Sequence, residues 1–202
     1  MSLWCAGPPL VLASRSAPRR AMLEAAGIPI EVSVPDLDER ALEASVGPRD
    51  PIGTAALLAC EKAKAVARHM PHRLVVGADQ TLALGGRRFD KPRDRTAARN
   101  QLMMLAGKTH HLHSAVALAR DGELLFEGTD TARLTMWNLS ESFLDSYMDA
   151  VGSAVLDSVG AYQLEKLGIH LFERVEGDHF TILGLPLLRL LEFLRRQGCL
   201  AT

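Results

Sequence analysis

An α/β fold built on a mixed sheet is what this sequence predicts, and three observations carry that expectation. Short apolar runs of strand length, LVLAS (10–14), IEVSV (30–34) and RLVVGA (73–78), alternate with longer stretches of helical period such as PRRAMLEAAG (18–27). Two segments, TLALGGRRF (81–89) and HSAVALARDGELLFEG (113–128), contain the Gly-Gly and Asp-Gly pairs that close tight hairpins. No repeat, low-complexity tract or linker interrupts the alternation, so residues 1–202 are expected to form a single domain.

Each element has a local reason. The strand LVLAS ends in small polar residues, and the helix after it has Ser16 as a candidate cap and Gly27 as its stop. A second strand, IEVSV, runs into PDLDER (35–40), whose acids Asp36, Asp38 and Glu39 are expected to crowd a loop. An alanine-rich helix follows from about Thr54 to His69. RLVVGA then delivers Asp79 to the end of a third strand, and the Gly85-Gly86 hairpin returns the chain to Lys91, just before Pro92. Asp94 caps a helix that stops near Gly107. The second hairpin turns at Asp121-Gly122 and its strand continues through TARLTMW (131–137). Helices near 140–151 and 186–197 frame a last strand, IHLFERV (169–175).

Composition narrows the function. Apolar residues at 48% and charged residues at 23% fit an ordinary water-exposed globule. A net charge of -1 gives no field for gathering nucleic acid or an anionic membrane, so neither is expected as a partner. Three cysteines without paired short spacings support neither a disulfide framework nor a zinc site, which fits a reducing cytoplasm. The opening MSLWCAGPPLVLASRS lacks a basic leader region, and no apolar run is long enough to span a bilayer.

Several polar residues sit where a fold alone does not need them. Ser14, Ser16, Arg19 and Arg20 lie at a strand-to-helix junction, where exposed amides, hydroxyls and a bidentate guanidinium favour an anion; a plain helix cap is the alternative. Lys62 shares a helix face with Leu58, Ala59, Ala65 and Val66, so it either snorkels at a core edge or meets a phosphate. Glu61 points elsewhere and can pair with Lys64 or Arg68. Asp79, closing an apolar strand, needs a partner to offset its desolvation, and Lys91 or a metal are the candidates. His110, His111 and His113 alternate along a strand and are read as solvated.

Taken in order, ASxSxxR, DxDE, EKA, GAD, KP after a hairpin, GAY and the closing GLPL resemble the Maf family of nucleotide pyrophosphatases from Leu10 to about Gly198. The resemblance implies an elongated α/β fold of the inosine triphosphatase type, a mixed twisted sheet flanked by helices, with two lobes and a central cleft. It implies hydrolysis of a nucleoside triphosphate to a monophosphate and pyrophosphate with a divalent cation, Mg²⁺ or Mn²⁺. It makes Ser14 and Arg19 phosphate binders, Lys62 and Lys91 a cationic clamp, and Glu39 and Asp79 metal-side carboxylates, with Asp79 also able to accept the proton of the attacking water. Homodimers are common in that family.

Three positions that the family uses for substrate choice depart from its common patterns. Alignment from Ser14 to Gly27 puts Ala17 where a proline is usual and Pro18 where one branch has arginine and another tryptophan. Gln80 in GADQ and Glu165 in GAYQLE resemble the branch acting on 7-methyl-GTP, whereas the thymidine and uridine triphosphate branch reads GADT and GAYxxQ. Trp4 or Trp137 would have to supply a stacking ring that Pro18 cannot. The rival readings are a broad or dTTP/UTP-type pyrophosphatase and a non-catalytic nucleotide-binding regulator of septum formation. The presence of both Asp79 and Glu39 favours an enzyme.

Overall fold

The computed structural model describes residues 3–46 and 50–201. β1 (Leu10–Leu12) lies wholly buried between β2 (Ile30–Val32) and β3 (Val75–Leu84) and is parallel to both. β4 (Arg87–Phe89) folds back antiparallel on β3. On the other edge of β3, β5 (Thr109–Arg120), β6 (Glu123–Met136) and β7 (Phe172–Glu176) add antiparallel strands. The result is a mixed seven-stranded sheet in the order β2-β1-β3-β5-β6-β7, with β4 beside β3.

Among the described residues seven α-helices flank it: α1 (Ala17–Ala25), α2 (Glu39–Val46), α3 (Pro51–Ala67), α4 (Arg95–Leu105), α5 (Glu141–Val151), α6 (His179–Ile182) and α7 (Leu187–Arg196). Ser16 and Asp94 are the expected caps, accepting from the amides of Arg19 and Ala97. Asp121 and Gly122 both take positive φ, +53° and +84°, as a primed two-residue turn requires. At the other hairpin Gly85 alone of the pair enters the left-handed region.

Four expectations are corrected. The acidic loop is half helix: Asp38 accepts from the Ala41 amide at 3.0 Å and Glu39 opens α2, because an aspartate before a carboxylate-led turn is a helix start. The helix expected from Thr54 begins at Pro51, whose missing N–H costs nothing in the first turn behind the Asp50 cap. Residues 169–171 of IHLFERV form a 3₁₀ turn, and the strand begins at Phe172. Asp79 does not end a strand: β3 runs ten residues through it, since Thr81, Leu82 and Ala83 continue the same pairing with β5.

Alternation along β3 gives the sheet two unlike faces. Val75 packs in an alanine-rich layer with Ala55, Ala59 and Ala63 of α3. Val76, Ala78 and Leu82 face the opposite side, where one core gathers around α1 and α7 and a second around α4 and α5. Gly77 is what lets α3 lie so close, because a Cβ there would sit 2.2 Å from the Ala59 carbonyl oxygen and 2.7 Å from the Ala63 nitrogen. Both are backbone atoms that cannot turn aside. Gly77→Ala is therefore expected to cost about 3 kcal/mol or more of unfolding free energy, measurable in a urea titration.

His110 also departs from expectation, being fully buried rather than solvated. Its Nε2 meets the Tyr162 hydroxyl at 2.7 Å, while Nδ1 is buried without a hydrogen-bond partner. A second ring proton would have nowhere to go, and burial pulls the pKa down to about 4. Between pH 6.5 and 4 the unfolded chain binds the proton that the native state refuses, so this site's contribution to stability is present above pH 6.5 and lost as pH falls. Chemical denaturation should show the native protein losing up to about 2 kcal/mol between pH 6.5 and 5 from this group. His110→Phe should flatten that part of the profile.

Candidate functional site

β1 and β4 share one edge of β3, pairing with Val75–Val76 and with Leu82–Leu84 respectively. Between them the edge around Ala78 to Gln80 has no strand partner on that side among the described residues, and there the chain opens into a cleft of about 1480 Å³. The nine positions to which the family resemblance gives a site role line it, Ser14, Pro18, Arg19, Glu39, Lys62, Asp79, Gln80, Lys91 and Glu165, whereas Arg20 and Asp38 do not.

The floor is ionic. Lys62 Nζ lies 2.6 Å from Asp79 Oδ1 and 2.9 Å from Glu39 Oε1, so a single ammonium holds two carboxylates together. The partner of Asp79 is thus Lys62 and not Lys91, because residues facing α3 from the middle of β3 meet that helix before anything across the hairpin. Burial raises the pKa of Asp79 above the ordinary carboxylate range, opposed by the charges of Lys62 and then Arg19. Glu39 is half-exposed and reaches in from the first turn of α2. Lys91 is exposed and makes no ion pair among the described residues, which leaves it free for a ligand.

The anion-facing wall comes from the β1–α1 junction. Arg19 donates from Nε to the Gly184 carbonyl at 2.8 Å and from Nη1 to the Ala78 carbonyl at 2.8 Å and the Ser14 hydroxyl at 3.3 Å. Burial lowers its pKa, with Asp79 and then Glu39 opposing. The guanidinium is rigid before any ligand arrives. Gly184, at φ +94°, permits the approach: a Cβ there would stand 3.3 Å from Arg19 Nη2. Ser14 also accepts from the Ser16 amide at 3.2 Å, so both of its contacts use its lone pairs and its O–H remains available to an anion.

The far wall holds the remaining positions. Pro18 sits in the first turn of α1, where its missing N–H is harmless, and Glu165 is exposed on the segment after Tyr162. Apolar side chains from α1, α6 and α7, namely Met22, Phe180, Leu188 and Leu191, complete a surface on which a base can lie. Neither tryptophan serves there: Trp4 is buried in the α1–α7 core and Trp137, though half-exposed, is outside the cleft. Phe180 is the aromatic ring that sequence reasoning overlooked, hidden in a four-residue helix too short to leave a periodic signal.

The carboxylate pair suits a hard divalent cation. Glu39 and Asp79 converge within reach of one ammonium, and their oxygens are the donors that Mg²⁺ or Mn²⁺ prefers. No cluster of three or more His, Cys, Asp or Glu side chains able to hold a metal occurs among the described residues. Such an ion would therefore take its other ligands from water and a phosphate, the usual arrangement for Mg²⁺. Nor is any helix among the described residues long and apolar enough to cross a membrane.

Comparison with known proteins places the chain in a family. A relative named nucleoside triphosphate pyrophosphatase, from Rhodopseudomonas palustris (strain ATCC BAA-98 / CGA009), is 54% identical over 202 residues and is covered in full, as is this chain. One named 7-methyl-GTP pyrophosphatase, from Brucella abortus biovar 1 (strain 9-941), is 49% identical over 95% of this chain and 97% of its own. A solved nucleoside-triphosphatase / dITP/XTP pyrophosphatase from Mycobacterium abscessus ATCC 19977 / DSM 44196 aligns over 95% of each chain at 16% identity, with a TM-score of 0.42. The sequence profile of Maf-like proteins matches residues 9–197, and the chain belongs to that family.

Proposed function

We propose that this chain hydrolyses a nucleoside triphosphate to a nucleoside monophosphate and pyrophosphate, with 7-methyl-GTP or another guanine-type nucleotide preferred. The observation that carries the reading is the largely buried Asp79–Lys62 pair, joined by the half-exposed Glu39, at the floor of a cleft that also presents Arg19 and Lys91. Water attacks the α-phosphorus, the bond from that phosphorus to the bridging oxygen breaks, and pyrophosphate leaves. Asp79, its pKa raised by burial, accepts the proton of the attacking water. Lys62 and Lys91 meet the charge that develops on the leaving group, while Arg19 and the Ser14 hydroxyl grip the phosphate chain. Glu39 and Asp79 would hold a divalent cation, which supplies a bound water of lowered pKa and offsets phosphate charge.

The guanine lean rests on Glu165 and Gln80 and on the 49% identity to a protein named for 7-methyl-GTP. Release of pyrophosphate and monophosphate should be measured for 7-methyl-GTP, GTP, dTTP, UTP and ITP, with Mg²⁺, with Mn²⁺ and with chelator. Pyrophosphate and monophosphate in equal amounts, dependent on metal, is the expected result. Nucleotide binding with no pyrophosphate from any of them would replace the enzyme with a nucleotide-binding regulator. A flat profile would make it a generalist.

A further inference from the structure

Gln80 and Ser114 stand opposite each other in the pairing of β3 with β5, and both face α6. Ser114 is fully buried and does not line the cleft. Its hydroxyl donates to the Thr181 carbonyl at 2.7 Å, which leaves its lone pairs to accept from Gln80 Nε2 at 3.0 Å. The same Nε2 meets the carbonyls of Thr181 at 3.1 Å and Ile182 at 3.0 Å.

Three acceptors therefore surround one end of the Gln80 amide, and only its NH₂ end can face them. Turning the amide over would set Oε1 against two carbonyl oxygens. Among the described residues the hydrogen bonds of the Gln80 side chain all use Nε2, and Gln80 lines the cleft, so the acceptor Oε1 is the end of the amide left to a ligand. A threonine in its place would reach neither α6 carbonyl with an NH₂ group and could turn its hydroxyl either way.

We propose that Ser114 is a positioning residue for base choice: by holding the Thr181 carbonyl and accepting from Gln80, it fixes Gln80 Oε1 as an acceptor that favours a nucleobase presenting adjacent N–H donors, as guanine does, over one whose single N–H is flanked by carbonyls. This rests on the reading of the cleft as a nucleotide site. Two of the three Arg19 bonds, to Ala78 and Ser14, do not involve the α6 segment, so the effect falls mainly on the base and less on the phosphates.

The test measures kcat and KM for GTP and dTTP, and dissociation constants for their α,β-methylene analogues, in the unmodified protein and in Ser114→Ala, Ser114→Cys, Gln80→Ala and the Ser114→Ala/Gln80→Ala pair. Ser114→Ala should lower the GTP-to-dTTP ratio of kcat/KM roughly fivefold, through KM for GTP, with kcat within about twofold. In the Gln80→Ala background it should change the ratio no further, because it acts through that amide. Ser114→Cys, of similar shape with a poor donor, should reproduce the loss if the alanine variant does not fold. An unchanged ratio, an equal loss on both substrates, or the same drop without Gln80 overturns the inference while leaving the pyrophosphatase reading intact. If the unmodified protein binds without turnover, the ratio of dissociation constants decides in the same way; binding of neither analogue overturns both readings.

Discussion

Asp79→Asn leaves the protein folded and lowers kcat by on the order of a hundredfold or more, the scale expected when a positioned base is removed. Asparagine keeps the shape of the side chain within β3 and deletes its charge. Lys62 is not stranded by the change, because Glu39 still holds its ammonium at 2.9 Å. The loss should therefore appear in turnover, with the melting temperature little altered. Single-turnover kinetics with each divalent metal checks this against steady-state kcat. A purified, folded variant retaining near-native kcat would remove Asp79 from the chemistry.

Base choice is expected to reverse in the double variant Glu165→Gln with Gln80→Thr. Guanine presents a ring N1–H and an exocyclic amino group side by side, and a carboxylate with a fixed amide oxygen accepts from both. Uracil and thymine present one N–H between two carbonyls, which such acceptors repel or leave unpaired. A mismatch of that kind is worth about 1–3 kcal/mol in a desolvated pocket, so the ratio of kcat/KM between GTP and dTTP should move roughly ten- to hundredfold. N7-methylation adds positive charge to the ring and strengthens the N1–H donor, which favours 7-methyl-GTP further. Pro18 supplies no stacking ring for that cation, whereas Phe180 on the cleft wall can. Higher kcat/KM for dTTP than for GTP and 7-methyl-GTP in the unmodified protein would sink this reading and leave the pyrophosphatase assignment standing.

The sequence by itself determined the α/β class, both hairpins, the caps Ser16 and Asp94, and the identity of many of the polar residues that gather in the cleft. These are local matters: Asp121-Gly122 turns because both residues accept positive φ, and Ser16 caps because its oxygen meets an amide three residues on. Order and spacing along the chain also carried the family, whose motifs span almost its whole length. Tertiary structure alone decided who meets whom. Asp79 lies mid-strand beneath α3, so its partner is Lys62, seventeen residues earlier, and not the lysine that the hairpin brings back. His110 is buried because Tyr162 and Phe172, far along the chain, close over it. The Gln80 amide is turned as it is because carbonyls about a hundred residues away accept from its nitrogen. Alternation in sequence tells which side of a strand a residue takes, but a side chain's partner is set by long-range packing, and no local pattern encodes it.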